Sequence, residues 1–436
     1  MRILFLTQII PYPLDSGPKV KTWHVLRYLS EKGHQVILVS FIRPEEEDSV
    51  SVLKKICSDV YTIPIRRSRL NDVGYWLRSR LTGRPFLIER DNIKAMRSLV
   101  QELLASHPID IIHADQLTMT QFAIPDNFPP NKDVYIAYPI SRATRPKLVF
   151  DAHNAVWTIV ERMAKNVPWY LRPVLQTEAR RVKQYEGMIV ETFDYTLAVT
   201  DVDCRYLMDA QAVYKNGIHP PNGVQASALK STNTISIVPI AIDTELLQPI
   251  DRKPGSTNIF TLGTLHYPPN SDGIRWFVRE VFPLVRRHIP NVTLTVAGRN
   301  PPADFYHYAE ESGGAITITG YVPDLRPYLE KSALMVVPVR AGSGMRVRIL
   351  EAFAQAIPVV TTTVGLEGID AQPGRDVLVG DTPQDFAEAV IRLLDDKALQ
   401  AQLAVDGRRL AERFYDWKVI LNKMEKIYEP LGASGG

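Results

Sequence analysis

The chain has 436 residues, 45% hydrophobic and 23% charged, with a formal net charge of +3 and two cysteines. That length fits two or three globular domains, each with its own core. So small a charge gives no argument for nucleic acid, two cysteines cannot build a disulfide framework, and no run reaches the ~18 apolar residues of a membrane span.

The first residues, MRILFLTQIIPYP, contain one positive charge and a short apolar run broken by Pro11, so they read as a strand rather than a leader peptide. A loop through Ser16 and Gly17 follows, and the spacing of Val20, Trp23, Leu26 and Leu29 predicts a helix over 19–32. Val36–Ser40 is a second strand, and a third lies near Val60–Ile63. Residues 66–84 interleave arginines with Tyr75, Trp76 and Leu77, a short amphipathic stretch suited to an anionic membrane surface. Ile109–Asp115 and Leu148–Asn154 are strands that end in polar residues, where open α/β sheets hold ligands. Residues 157–190 are helical but split by Pro168 and Pro173, and Tyr195–Thr200 is a further strand. Residues 239–254 read as a linker.

The second half repeats this style. Strands are expected at 259–264, 292–299 and 316–322, with Asn270-Ser271-Asp272 as the cap of a helix over 273–287. The most informative stretch is VVPVRAGSGMRVRILEAFAQAIPVVTTTVGLEG, residues 336–368. It reads as strand, small-residue turn, helix from Met345 to Gln355, then strand: a βαβ unit. Backbone N–H groups at a helix start are unpaired, and glycines let a phosphate approach them. Arg346 and Arg348 oppose the helix macrodipole, so a bound anion would compensate them. Glu351 adds an acceptor for sugar hydroxyls. Leu378-Val379 and helices over 382–394 and 398–414 follow, and a last helix is expected from Asp416 to Tyr428.

This stretch resembles the donor-binding motif of glycosyltransferase family four, the retaining GT-B enzymes, and in particular the subgroup associated with exopolysaccharide clusters. Arg346, Arg348, Glu351 and Ala352 fall on matching positions, and YPPNSDGIRWFVREVFPLVRRHIPNVTLTVAGRNP is similar as well. The resemblance implies an α/β protein of GT-B type, with two Rossmann-like doubly wound parallel-sheet domains facing a central cleft. It implies an acceptor-side domain over 1–238 completed by a helix at 416–430, a linker at 239–254, and a donor-binding domain over 255–415. Ser16 and Gly17 become the N-terminal glycine loop, His153 lies on a D-x-H-N-like motif near the reacting carbon, and the loop at Tyr321 and Val322 meets the base. Gly263, Thr264, Gly342, Ser343, Gly344 and Met345 line the phosphates. The family often has a glutamate eight positions before Glu351, where this chain has Ser343, and an Arg/Lys pair after the first C-terminal strand, where this chain has Thr264-Leu265-His266. Arg299, Arg346 or Arg348 is left for the diphosphate.

The implied activity is metal-independent transfer of a hexose, with retention, from a UDP-, GDP- or similar nucleotide sugar to a glycan or lipid-linked acceptor, in polysaccharide synthesis. No cofactor, metal or nucleic acid is called for. His153, Arg346 and Glu351 are the candidates at the reacting centre. The expected location is cytoplasmic, with 66–84 touching the inner face of the membrane. Two alternatives share the fold: a nucleotide-sugar 2-epimerase and a non-catalytic nucleotide-sugar-binding protein.

Overall fold

The computed structural model describes residues 1–124, 145–165, 167–217, 234–342 and 344–428. The chain divides into two compact units, one formed by Met1–Pro239 with the segment from Leu421 onward, the other by Ile240–Ile420.

Unit 1 is built on seven parallel strands: β1 (Arg2–Thr7), β2 (Gln35–Ile42), β3 (Asp59–Pro64), β4 (Ile111–Asp115), β5 (Lys147–Ala152), β6 (Tyr195–Ala198) and β7 (Thr234–Ile237). Their order across the sheet is β3-β2-β1-β4-β5-β6-β7. The chain winds outward from β1 in one direction, then returns to β4 and winds outward in the other. The switch point therefore lies between β1 and β4, and open sheets of this kind bind ligands beyond the carboxyl ends of the strands there.

Unit 2 repeats the scheme with β8 (Asn258–Leu262), β9 (Thr293–Ala297), β10 (Ile316–Gly320), β11 (Ser332–Val337), β12 (Val359–Thr361) and β13 (Leu378–Val379), ordered β10-β9-β8-β11-β12-β13 and all parallel. Its switch point lies between β8 and β11.

Parallel strands covered on both faces must be apolar on both, which is why they read as continuous Val/Ile/Leu runs. In unit 1, Leu4, Leu6, Ile112, Ala114, Leu148 and Phe150 are buried in one apolar cluster. In unit 2, Leu294, Val296, Leu334 and Val336 pack with Phe277, Phe282 and Phe386. Close approach fixes two glycines. A Cβ on Gly273 would lie 2.0 Å from the Pro338 carbonyl oxygen, and one on Gly407 would lie 2.8 Å from the Phe353 ring. These contacts seat helices Pro268–Trp276 and Lys397–Phe414 against β11 and helix Val347–Ala354.

Three expectations are corrected. The helix expected from Gly273 starts at Pro268, whose fixed φ and missing N–H suit a first turn. Asn270, Ser271 and Asp272 therefore lie inside the helix and are not its cap. The helix also widens into a π segment at Phe277–Val281 before ending at His288. The helix expected from Met345 begins at Val347, with Arg346 as its N-cap at φ −89° and ψ 85°. The last segment is three short turns, Trp417–Ile420, Leu421–Met424 and Glu425–Tyr428, rather than one helix. From Leu421 it packs on unit 1, where Lys32 bonds Glu425 at 2.8 Å.

Candidate functional site

In unit 2 the loops beyond β8, β9, β10 and β11 carry most of the residues singled out above. The ladder continues past the strands: Gly263 N donates to Ala297 O at 3.1 Å, Gly298 N to Gly320 O at 2.8 Å, and Leu265 N to Arg299 O at 3.1 Å. A Cβ on Gly298 would lie 1.8 Å from the Gly263 carbonyl oxygen, so the two loops touch only because residue 298 is glycine. Arg299 stands over the exposed Tyr321 ring, 4.2 Å from its centroid. Asn300, directly after Arg299, has φ +52°. The next residue after Tyr321, Val322, is half-buried.

Beyond β11, Gly342 and Gly344 adopt φ +114° and +86°, a region closed to most side chains. Ser343 lies outside the described residues. The chain then buries Met345 and enters the short helix, which sinks Ile349, Leu350, Ala352 and Phe353 into the unit 2 interior. Arg346 folds back to donate to the Gly344 carbonyl. Arg348 points the other way, donating to the Leu262 carbonyl at 3.0 Å and to Asn270 Oδ1 at 2.9 Å. Asn270 Nδ2 in turn donates to the Thr264 carbonyl at 3.2 Å. Arg348 and Asn270 thus brace the Gly263-Thr264 turn across the switch point. Two of the guanidinium's nitrogens are already committed to protein acceptors.

Glu351 sits one turn below. It is half-buried, and its carboxylate has no hydrogen-bond partner among the described residues. Burial pushes its pKa up to about 7, with the Arg348 charge opposing. Burial also lowers the Arg348 guanidinium to about 10, with Arg346 adding repulsion and Glu351 opposing. A carboxylate without a hydrogen-bond partner among the described residues, close to the Arg348 charge on the helix after a glycine turn, is suited to hydroxyl donors with an anion nearby.

In unit 1 the switch point is different. Register places Thr7 of β1, Asp115 of β4 and Asp151 of β5 in one row across the sheet. Phe5 and His113 pair two residues earlier, on the same face of the sheet, their rings stacked at 4.3 Å. All of these are fully buried. Helix Gly17–Glu31 covers them and brings Lys21 down, 1% exposed, onto Asp151 Oδ1. Burial pushes the Asp151 carboxyl up, but the Lys21 ammonium and the neighbouring histidines outweigh it and hold the group below the usual carboxylate range. Tyr428, from the C-terminal segment, closes the cluster with its hydroxyl on His113 Nδ1.

His153, just past the end of β5, places Nε2 2.6 Å from Asp115 Oδ1. Thr7 donates to Asp115 Oδ2 at 2.7 Å, and Thr22 Oγ1 lies 3.0 Å from the same oxygen. The helix after His153 is capped from a distance: Glu186 accepts the Val156 and Trp157 amides at 2.8 and 2.9 Å. Ser16 is the N-cap of helix Gly17–Glu31, exposed, with no side-chain cap bond, and Gly17 is the first helical residue.

Among the described residues, one group could offer three ligand atoms to a metal: His113, Asp115 and Asp151, within 4.8 Å of one another. His113 Nδ1, both Asp115 oxygens and Asp151 Oδ1 already serve Tyr428, Thr7, His153 and Lys21, and the Lys21 ammonium supplies a cation there; His113 Nε2 and Asp151 Oδ2 face each other at 3.5 Å with no hydrogen-bond partner among the described residues. Sequence reading picked out His153, missed Lys21 and Thr7, and read Asn270 as a helix cap where it is part of the Arg348 brace. The available signal for Thr7 and Asp115 was their shared place at strand ends on either side of the β1/β4 switch.

Residues 256–396 match the family described as "Glycosyl transferases group 1". A Klebsiella pneumoniae protein described as "Uncharacterized 44.6 kDa protein in cps region" is 22% identical over 98% of this chain and 99% of its own. The phosphatidyl-myo-inositol mannosyltransferase of Mycobacterium leprae is 24% identical over 55% of this chain and 60% of its own. Anabaena HepE, solved in complex with UDP-glucose, superposes with a TM-score of 0.63 at 13% identity, over 98% of this chain and 99% of that one. Residues 256–396 are thus a glycosyl transferases group 1 domain, and the chain as a whole has the two-domain α/β fold of GT-B glycosyltransferases.

Proposed function

We propose that this protein is a retaining hexosyltransferase that takes its donor as a nucleotide-diphosphate sugar in unit 2 and an acceptor hydroxyl in unit 1. The observation that carries this is the Glu351 carboxylate, without a hydrogen-bond partner among the described residues, feeling the Arg348 charge on the helix that follows the glycine turn, in a domain that matches the group 1 family. Glu351 would accept the ribose hydroxyls. The backbone of Gly342–Met345 and the Arg346 guanidinium would stabilise the diphosphate as its charge grows on leaving, which is where a preorganised positive site lowers a barrier. With Arg348 largely spent on bracing, Arg346 and Arg299 are the arginines assigned to the phosphates. His153 would contact a sugar or acceptor hydroxyl, and no enzymic nucleophile or resident cofactor is assigned.

The acceptor is assigned to glycans or lipid-linked glycans of cell-surface polysaccharide. The mannosyltransferase and the cps-region protein among its relatives favour that class. Contact with an anionic membrane is proposed through helix Arg69–Thr82. Val73, Trp76, Leu77 and Leu81 are exposed there at helical spacing, Arg80 lies 5.1 Å from the Trp76 ring centroid, and Asp72, Val73, Trp76 and Phe86 line a pocket of about 270 Å³. No helix among the described residues is long and apolar enough to cross a membrane.

The test is thermal stability against UDP, GDP, ADP, CMP and dTDP without added metal, followed by hydrolysis of the matching nucleotide sugar. A ligand at 100-fold its Kd stabilises by about 2.7 kcal/mol. A shift with one diphosphate that disappears in Arg346→Ala and Glu351→Ala supports the reading, and no shift with any of the five rejects it. Sedimentation with anionic liposomes at low salt, compared with Trp76→Glu, tests the membrane contact; no binding by the unaltered protein rejects it.

A further inference from the structure

We infer that Asp115 is a positioning residue that fixes the His153 ring so that Nδ1 is presented, bare of a proton, to a hydroxyl of the sugar or acceptor. The inference rests on the glycosyl-transfer reading for its substrate class and on geometry for the rest.

Asp115 is fully buried at the carboxyl end of β4, against the switch point. Its Oδ2 accepts the Thr7 hydroxyl, so the group works as a hydrogen-bond acceptor there. Its Oδ1 lies 2.6 Å from His153 Nε2, which must then carry the proton and donate it. A neutral ring donating from Nε2 has an acceptor at Nδ1. That atom is buried and has no hydrogen-bond partner among the described residues, while the residue as a whole is 8% exposed. A buried polar atom without a partner is costly and calls for an explanation, a missing ligand among them.

The backbone supplies a second, independent sign. Gln116, the residue after Asp115, holds φ +74°, an unusual conformation for a non-glycine residue. Its amide donates to the Asp151 carbonyl at 3.0 Å, so the strained turn is locked onto β5. Strain of this kind gathers where a side chain must be held in one place.

The test uses the full chain labelled with ¹⁵N-histidine, with His153→Asn to assign the resonance. At pH 8 a long-range ¹H–¹⁵N spectrum is expected to show the His153 proton on Nε2 alone. A proton on Nδ1, in a neutral or charged ring, overturns the inference, and this reading depends on no variant of Asp115 folding. The second arm measures hydrolysis of UDP-glucose and GDP-mannose by the unaltered chain, Asp115→Asn, His153→Asn and the double variant. Asp115→Asn should lower kcat about 100-fold with KM little changed. In the His153→Asn background the same change should cost less than about threefold, because the two residues act as one unit. Losses that multiply independently, or a kcat that Asp115→Asn leaves alone, overturn the positioning role. If the unaltered chain turns over neither donor, the transfer reading fails, and the ring's protonation still decides the dyad.

Discussion

The two units solve the same topological problem with opposite chemistry. Each sheet has a switch point, between β1 and β4 in one and between β8 and β11 in the other. In unit 1 that point is filled: Lys21, Asp151, His113, Asp115 and Thr7 are fully buried and mostly satisfied by one another. In unit 2 it is lined by glycines, with Arg348 bracing the turn and Glu351 without a hydrogen-bond partner among the described residues. A paired cluster holds a shape, and an unpaired one binds something. The difference teaches that the Lys21–Asp151 pair of unit 1 should act on stability, while Glu351 of unit 2 should act on nucleotide affinity.

The sharpest break is in unit 1. Asp151→Ala leaves the Lys21 ammonium buried without its carboxylate, and removing one partner of such a pair costs about 3–5 kcal/mol. Chemical denaturation should show that loss, and a Lys21→Met/Asp151→Leu pair should regain much of it. The pH sign follows. Asp151 has a depressed pKa in the folded chain, so its contribution is present at neutral pH and is lost as pH falls below the unfolded carboxylate range of about 3.9.

In unit 2 the same kind of change should spare stability. Glu351→Ala removes a carboxylate with no hydrogen-bond partner among the described residues, so melting temperature should hold while nucleotide affinity falls about 10- to 100-fold, as for a lost charged hydrogen bond. Isothermal titration with the nucleoside diphosphate that shifts the melt would measure it. A smaller effect sharpens the point. With a pKa near 7, Glu351 passes from mostly protonated at pH 6 to mostly ionised at pH 8, so nucleotide affinity should rise about tenfold over that span. Glu351→Gln should flatten the curve. Smallest is Tyr321→Ala, which removes the ring beneath the Arg299 guanidinium and should cost about 0.5–1 kcal/mol of binding, read as a change in preference between nucleotide bases.

Much of this was legible in the sequence, and the reasons are local. The β-branched run before Gly342, the turn itself and the apolar periodicity after it are contiguous, so the βαβ unit can be read from neighbours. Lys21 could not be found this way. Its helix carries polar residues that read as solvated, and its partner Asp151 lies 130 positions along the chain. The Arg348–Asn270 brace spans 78 positions, and it redirects an arginine that sequence alone sends to a phosphate. The start of helix Pro268–Trp276 was misplaced because Asn270-Ser271-Asp272 has good capping chemistry, while Pro268 and Pro269 settle the turn earlier. The helix starting at Val347 follows from Arg346 bending back to Gly344, a choice made by the glycine backbone rather than by helix propensity.

The C-terminal segment bears on the order in which the protein is made. Tyr428 seals His113 in unit 1, yet it follows all of unit 2 along the chain. A ribosome therefore finishes the seven strands of unit 1 long before the residue that closes their polar cluster exists. Until then His113 lacks its cap, with the Lys21–Asp151 pair beside it, while unit 2 is synthesised and folds. The last step of unit 1 is thus deferred until unit 2 has been made, and a chain stalled before residue 421 would carry a nascent unit 1 whose polar interior is still unsealed.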